Sequence, residues 1–342
     1  TYRRVALPAQ FEAKPEELRS TARVVNDDNL DAVFLISIGW MGRLLLDHIR
    51  TPNLIYISCG ALDLLYHEKC SLQAYIAQPA PYSVRNGRLY SKERICVARI
   101  GLLQTNVFHY DKRGIEPLVI DKNLLAKKER KIVYLGNSYK LDSKEYRECV
   151  TRLLKENADL TLVCYTKPRE RKSPQARVRE YFEKAGVSQQ VVFNKGFSAL
   201  RESDGSIVAP NRWKKALHEL ESARLFMDTF PWGGGSSVVE AYLSGVPVIF
   251  MSKDEESWSR KPLLNRTHSE LRETTLGRAK SLDEYCEKCQ RVLDDDAFAT
   301  EIIREQYDLA RTVLCNEEYF WQEIIRMVHR SNELNVENQG VA

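Results

Sequence analysis

The chain has 342 residues, 43% of them hydrophobic and 29% charged, with a formal net charge of +4. That length exceeds one ordinary core and suits two domains, and the balanced composition excludes a disordered or fibrous chain. The mild positive balance comes without a concentrated run of Lys and Arg, which argues against a nucleic-acid partner, and no stretch of about 18 apolar residues is present to span a membrane.

Eight cysteines occur, at 59, 70, 96, 149, 164, 286, 289 and 315, most of them inside apolar runs such as ICVAR and LVCY. They read as free, buried thiols of a reducing compartment, which points to the cytoplasm. Cys286-x-x-Cys289 has metal-like spacing but sits in a helical pattern without a second pair, so no metal site is expected. No secretory leader is visible; the chain opens on Thr1 rather than Met, which leaves room for an upstream segment.

In chain order, DAVFLIS (31–37) reads as a short apolar strand, MGRLLLDHI (41–49) as a helix, and NLIYIS (53–58) as a second strand, together a β-α-β unit. From 62 to 120 the pattern weakens. RICVARI (94–100) reads as a strand and QPAPYSVRNG (78–87) as loop, from its prolines, Asn and Gly. DKNLLAKKERK (121–131) is charged and precedes a fresh buried strand, IVYLG (132–136). The domain boundary is placed there, with residues 1–125 as an N-terminal Rossmann-like domain and 126–335 as a C-terminal one.

A helix follows with Tyr146, Cys149, Val150, Leu153 and Leu154 on one face, capped by Asp142 with Glu145 three residues on. Then come strand LTLVCY (160–165), a helix over 174–185, strand VVF (191–193), a helix over 212–222, strand LFMD (225–228), a helix from about Ser237, and strand PVIFM (247–251). Three helices close the chain, at 282–293, 297–312 and 317–331. Short apolar strands alternating with amphipathic helices predict parallel sheets covered on both faces.

The most informative stretch is DTFPWGGGSSVVEAYLSGVPVI (228–249). In a doubly wound sheet, ligands bind beyond the carboxyl ends of the strands. Gly233, Gly234 and Gly235 lie on that rim, directly before a helix start. Glycine permits close backbone approach and positive φ, and a helix N-terminus offers N–H groups and about half a positive charge. Together these suit a phosphate; a plain tight turn is the other reading. Val238 stands where a dinucleotide fingerprint needs its third glycine, and the Gly-Lys-Ser/Thr ending of a P-loop is missing, so nicotinamide and ATP are disfavoured. Ser236 and Ser237 either donate to a phosphate or cap the helix. Glu240 either closes a capping box with Ser237 or accepts from both hydroxyls of a ribose.

This segment resembles the nucleotide-sugar motif of glycosyltransferase family 41, which holds the O-linked N-acetylglucosamine transferases and the soluble bacterial protein N-glucosyltransferases. The shared pattern is an Asp-Thr/Pro-x-Pro start, a Gly/Asn-rich loop, small hydroxyl residues, an acid on the helix and a Gly-x-Pro-like stop. GNSYKLDSKEYRECVTRLLKENADLTL (136–162) resembles the family's strand–loop–lysine–helix unit, with Lys140 at the lysine. LDAVFLISIGWMGRLLLDHIRTPNLIYISCGAL (30–62), with Gly39 and Gly60, is similar to its first-domain segment, and SLDEYCEKCQRVLDDD (281–296) to its closing helices. The likeness runs from about 30 to 330.

The resemblance implies an α/β chain of GT-B architecture: two Rossmann-like domains with parallel sheets facing a central cleft, and C-terminal helices. The nucleotide sugar would bind the second domain and the acceptor approach from the first. Lys140 would hold the diphosphate, Gly233 to Ser237 cradle it, and Glu240 bind the ribose. The donor would be UDP-linked, UDP-GlcNAc or UDP-glucose, as a substrate rather than a cofactor. The acceptor would be a protein side chain or a protein-attached glycan. Two departures stand out. The family often carries longer polar residues where Gly234 and Gly235 stand, and the base-contacting loop is expanded at 194–221, where Lys195 and Trp213 are candidates for the base.

Cleaving a sugar–phosphate bond builds negative charge on the leaving diphosphate. No Asp-x-Asp lies at a strand end, so a lysine and backbone amides are expected to stabilise that charge without a metal. Among the six histidines, His67 in GALDLLYHEKC follows a first-domain strand, and Asp63 shares the stretch. Both are candidates for the general base, although an inverting transfer in which the leaving diphosphate takes the proton needs neither. The rival readings are a nucleotide-sugar epimerase or hydrolase on this scaffold, and an inactive nucleotide-sugar-binding or protein-interaction module.

Overall fold

Short Val/Ile/Leu-rich segments flanked by amphipathic helices can bury both of their faces only in a parallel sheet. The computed structural model of the chain, which describes residues 15–28, 30–36, 48–58, 70–75, 95–97, 118–166, 174–195, 210–230, 233–251 and 274–339, contains two such sheets. They lie in separate units, Thr1–Ile100 with Phe320–Ala342, and Gly101–Tyr319.

In the first unit, helix α1 (Pro15–Asp27) precedes strands β1 (Ala32–Ile36), β2 (Asn53–Ser58), β3 (Leu72–Tyr75) and β4 (Ile95–Val97). The strands pair in parallel in chain order. Leu54, Ile55, Tyr56 and Ile57 of β2 are all buried, as a central strand requires. Neither α1 nor β3 is anticipated in the sequence reading. Of the helix expected over 41–49, only His48 and Ile49 fall among the described residues, and the 78–87 loop falls outside them.

The second unit runs α2 (Lys122–Ala126), β5 (Glu129–Gly136), α3 (Lys144–Glu156), β6 (Thr161–Thr166), α4 (Pro174–Lys184), β7 (Val191–Lys195), α5 (Pro210–Glu221), β8 (Ala223–Met227), α6 (Ser236–Leu243), β9 (Val248–Met251), β10 (Arg278–Ala279), α7 (Leu282–Asp294), α8 (Asp296–Leu309) and the start of α9 (Glu317–Gln339). Its sheet has the order β10-β9-β8-β5-β6-β7, all parallel. The chain winds outward from β5 through β6 and β7, crosses back to β8 on the other side of β5, and winds outward again. The β5/β8 junction is therefore the topological switch point, where open α/β sheets bind their ligands.

Alternation along β5 builds two cores, because successive side chains point to opposite faces. Ile132 and Tyr134 pack with Leu153 of α3, Leu293 of α7 and Ile302 of α8. Val133 and Leu135 pack with Leu220 of α5 and with Val239 and Tyr242 of α6.

Three local expectations change. The charged stretch 121–131 contains α2, because Asp121 caps it by accepting from Asn123 N (2.9 Å) and Leu124 N (3.0 Å) while Leu125 is buried. Asp142 does not cap α3: the helix begins at Lys144, Ser143 takes the cap, and Asp142 instead pairs with Arg147 (2.8 Å) and Arg177. The last helix also goes with the first unit from Phe320 on, whereas the sequence division carries the second domain to 335. Ser331, Asn332 and Asn335 of α9 fasten the start of β2. Ser331 Oγ donates to Asn53 Oδ1 (2.7 Å), Asn53 Nδ2 to Asn332 Oδ1 (2.8 Å), and Asn335 Nδ2 to Pro52 O (2.8 Å).

Candidate functional site

Beyond β5 the chain turns sharply at Gly136 and Asn137 into a single 3-10 turn, Ser138–Asp142. The Tyr134 hydroxyl donates to Asn137 O (2.9 Å), and Lys140 N donates to the same oxygen (3.0 Å), so the turn is closed from two sides. The Asp142 ion pairs tie it to α3 and α4. This geometry carries the Lys140 side chain across to the loop beyond β8, where its ammonium donates to Gly233 O at 2.5 Å.

That second loop starts at Asp228, which is 2% exposed. Its Oδ1 accepts from Gly234 N at 2.6 Å. The backbone of the strand end is gripped by two tyrosines: Tyr146 OH of α3 donates to Met227 O (3.1 Å), and Tyr285 OH of α7 to Asp228 O (2.8 Å). Between them Phe230 is buried edge-on to both rings, at centroid distances of 5.7 Å from Tyr146 and 5.0 Å from Tyr285. Burial pushes the Asp228 carboxyl up to about 6, against the opposing pull of the Gly234 N–H and the Lys140 charge. Burial also lowers the Lys140 ammonium below the ordinary lysine value, and the Asp228 charge opposes that shift.

Gly234 is explained by close approach rather than by left-handed backbone. Gly235 has φ −121°, and Gly234 also lies outside the left-handed region. A Cβ on Gly234 would sit 2.8 Å from Val238 Cγ2, 2.9 Å from Ser237 Oγ and 3.1 Å from Asp228 Oδ1. The left-handed glycine of this segment is Gly245, φ +61°, in the Gly-Val-Pro stop. There Val246 N donates to Ala241 O (2.9 Å) and Gly245 N to Tyr242 O (3.1 Å), the paired bonds of a Schellman ending.

Helix α6 starts at Ser236 with Gly235 as its N-cap. Ser237 is thus inside the first turn, and the capping box with Glu240 does not form: the cap falls at Gly235, two residues earlier than the Ser-x-x-Glu pattern suggests. Val238 N (3.0 Å) and Val239 N (3.4 Å) both turn to Gly235 O, while the N–H groups of Ser236 and Ser237 have no acceptor within the helix. The Gly234 N–H is committed to Asp228. The Gly234 amide is therefore not free for a phosphate.

Glu240 lies one turn into α6, 2% exposed. Lys195 ends β7, opposite Thr166, and Trp213 lies in the first turn of α5; their side chains, like that of Ser236, lie outside the described residues. Asp63 and His67 also fall outside them. Cys70, Cys149, Cys164, Cys286, Cys289 and Cys315 are buried free thiols, and among the described residues no three His, Cys, Asp or Glu side chains converge to hold a metal ion. No described helix is long and apolar enough to cross a membrane.

The sequence reading passed over Asp228, Tyr146, Tyr285 and Phe230 as site residues. A signal for Asp228 was present: a carboxylate ending the wholly apolar run LFM is a buried charge in need of a reason.

No protein-family model and no curated protein matches the chain. Solved structures do match along nearly its whole length. An O-GlcNAc transferase variant of Thermobaculum terrenum is 14% identical with a TM-score of 0.62, covering 97% of this chain and 58% of that one. A glycosyltransferase from Rickettsia africae is 11% identical with a TM-score of 0.57, covering 97% and 84%. A UDP-forming α,α-trehalose-phosphate synthase from Burkholderia xenovorans is 10% identical with a TM-score of 0.56, covering 92% and 78%. The fold is that of the GT-B glycosyltransferases, α/β with parallel sheets and a helical C-terminus. At these identities the likeness is one of fold, common to several glycosyltransferase families rather than particular to family 41. The chain spans 58% of the length of the O-GlcNAc transferase and 58% of TarM, another match.

Proposed function

We propose that this protein is a hexosyltransferase of the family 41 type. It moves a sugar from a UDP-linked donor, UDP-GlcNAc or UDP-glucose, to a protein side chain or a protein-attached glycan, without a metal, in the cytoplasm. The observation that carries the reading is the meeting of the Lys140 ammonium with the glycine-rich start of α6 at the switch point of the sheet. A lysine has three donors, and Gly233 O uses one. The others, with the Ser236 and Ser237 amides and the positive end of α6, would hold the diphosphate. These fixed donors would stabilise the charge that develops as the sugar leaves. The UDP-forming synthase, and a Staphylococcus aureus TarM solved with UDP, support the choice of nucleotide.

In this reading Lys140 binds the diphosphate and Glu240 the ribose, while Lys195 and Trp213 approach the base. Asp63 and His67 remain the candidates for the general base. Buried free thiols accord with a reducing compartment.

Two measurements test it. UDP is titrated by calorimetry into wild type and Lys140→Ala, with binding expected in the first and a loss of about 100-fold in the second, the scale of one buried charge-assisted contact. A radiolabelled panel of nucleotide sugars is then offered with whole-cell protein as acceptor. Equal UDP affinity in both proteins removes the lysine from the mechanism. Donor binding without transfer identifies an inactive module, and a new free sugar without acceptor identifies an epimerase or hydrolase.

A further inference from the structure

A buried carboxylate beside a site for an anion is at first sight an error. Asp228 repels a diphosphate, and its burial costs stability. Its carboxyl is pushed up to about 6, well above the unfolded value of about 3.9, so the ionised form weakens the fold above that range. An Asn of the same shape would accept from Gly234 N equally well and carry no such cost. The negative charge therefore needs a purpose beyond holding the loop, and groups kept at a cost to stability cluster where function demands them.

The neighbours supply that purpose. Within electrostatic reach of Asp228 are Lys140 from the turn after β5 and four tyrosines, Tyr134 on β5, Tyr146 on α3, Tyr242 on α6 and Tyr285 on α7. Burial raises all four phenols, so they stay neutral near neutral pH. Lys140 is the cation of this group, and burial works against its charge. A neutral amine would be of no use to a diphosphate.

We propose that Asp228 is the positioning residue of the donor site, its carboxylate fixing the glycine bend through the Gly234 N–H and holding the Lys140 side chain in its charged form at the rim. One peptide unit bridges the two groups. Its N–H, on Gly234, goes to Asp228 Oδ1 at 2.6 Å, and its carbonyl, on Gly233, accepts from the Lys140 ammonium at 2.5 Å. Across that short span the carboxylate charge favours the charged form of the lysine. The inference rests on the donor-site reading above and gives a role to Asp228, the residue that opens the glycine-rich segment.

Two variants separate the two roles. Asp228→Asn keeps an acceptor for Gly234 and removes the charge. Its UDP affinity equals or exceeds that of wild type on the acid side, where Lys140 is charged in either case, because a repulsive group has gone; on the alkaline side it falls about tenfold below wild type as the lysine loses its proton earlier. Asp228→Ala also frees the bend and binds UDP weakly at every pH. Asp228→Asn is further expected to melt no lower than wild type at pH 7.5, since it mimics the protonated acid.

The state of Lys140 is read without any ligand, by competitive acetylation across pH followed by mass spectrometry. The half-reaction point of Lys140 moves to lower pH in Asp228→Asn. An unmoved half-reaction point, or a UDP profile parallel to that of wild type, overturns the proposal. If wild type binds no UDP, the donor-site reading falls by itself, and the acetylation profile still decides whether Asp228 governs the lysine's charge.

Discussion

The ammonium of Lys140 lies 2.5 Å from the carbonyl oxygen of Gly233, a residue 93 positions away along the chain. The contact exists because β5 and β8 are neighbours in the sheet, so the loops that follow them share one stretch of rim. In the structure the lysine is held by a neutral acceptor, with donors to spare.

The first prediction concerns pH. Burial lowers the Lys140 pKa, so its charged form is present below that value and lost above it. UDP affinity should hold on the acid side and decline on the alkaline side, earlier than an exposed lysine would dictate. Lys140→Arg should abolish the decline, since a guanidinium stays charged. Calorimetry between pH 6.5 and pH 10 decides; a wild-type profile as flat as that of the arginine variant excludes titration of the lysine as the cause.

A second prediction follows from the close approach at Gly234. A methyl group there would meet Val238, Ser237 and the Asp228 carboxylate within 3.1 Å. Gly234→Ala must push the bend away from Asp228, at a cost of about 1–3 kcal/mol, and weaken UDP binding by a similar factor in energy. Thermal melting and titration should move together. Gly186→Ala, whose added Cβ meets nothing within 4 Å although its φ is +77°, should affect stability alone.

Phe230 supplies a third. It is 1% exposed, wedged between Tyr146 and Tyr285, whose hydroxyls hold the end of β8. Phe230→Ala should cost about 3–5 kcal/mol, and in a unit of this size lower the melting temperature by about 10 °C. Phe230→Leu, which keeps much of the volume, should recover most of that loss. If both variants melt like wild type, the aromatic wedge contributes nothing to holding the strand end.

A fourth tests the ribose. In the proposed function Glu240, buried one turn into α6, binds the sugar hydroxyls of the nucleotide. Wild type should then bind UDP more tightly than 2′-deoxy-UDP, by about 1–2 kcal/mol, and Glu240→Gln should shrink that gap. A double-mutant cycle isolates the pair. An undiminished preference in the variant assigns the hydroxyl to another group.

Local signals were largely legible. The strands at 53–58, 132–136 and 160–165, the buried face of α3, and the glycine loop at a strand end all follow from period and composition. The capping box at Ser237 and the Asp142 cap are absent, because a shift of one or two residues in a helix start changes which side chain stands at the cap and leaves the motif intact on paper. Helix α2 is short and lies in a stretch of charged residues, although its Leu125 is buried.

Alone, the amino-acid order settled that this chain builds parallel sheets between helices and that a glycine-rich helix start faces the rim, since both depend on residues within a turn or a strand of each other. Which strand lies beside which was decided only when distant segments packed, and with it the encounter of Lys140 with Gly233, the burial of Phe230 between two tyrosines, and the attachment of α9 to β2. Those relationships join residues dozens to hundreds of positions apart, and no periodicity carries information over that range: side-chain volume and the pairing of buried polar groups select them.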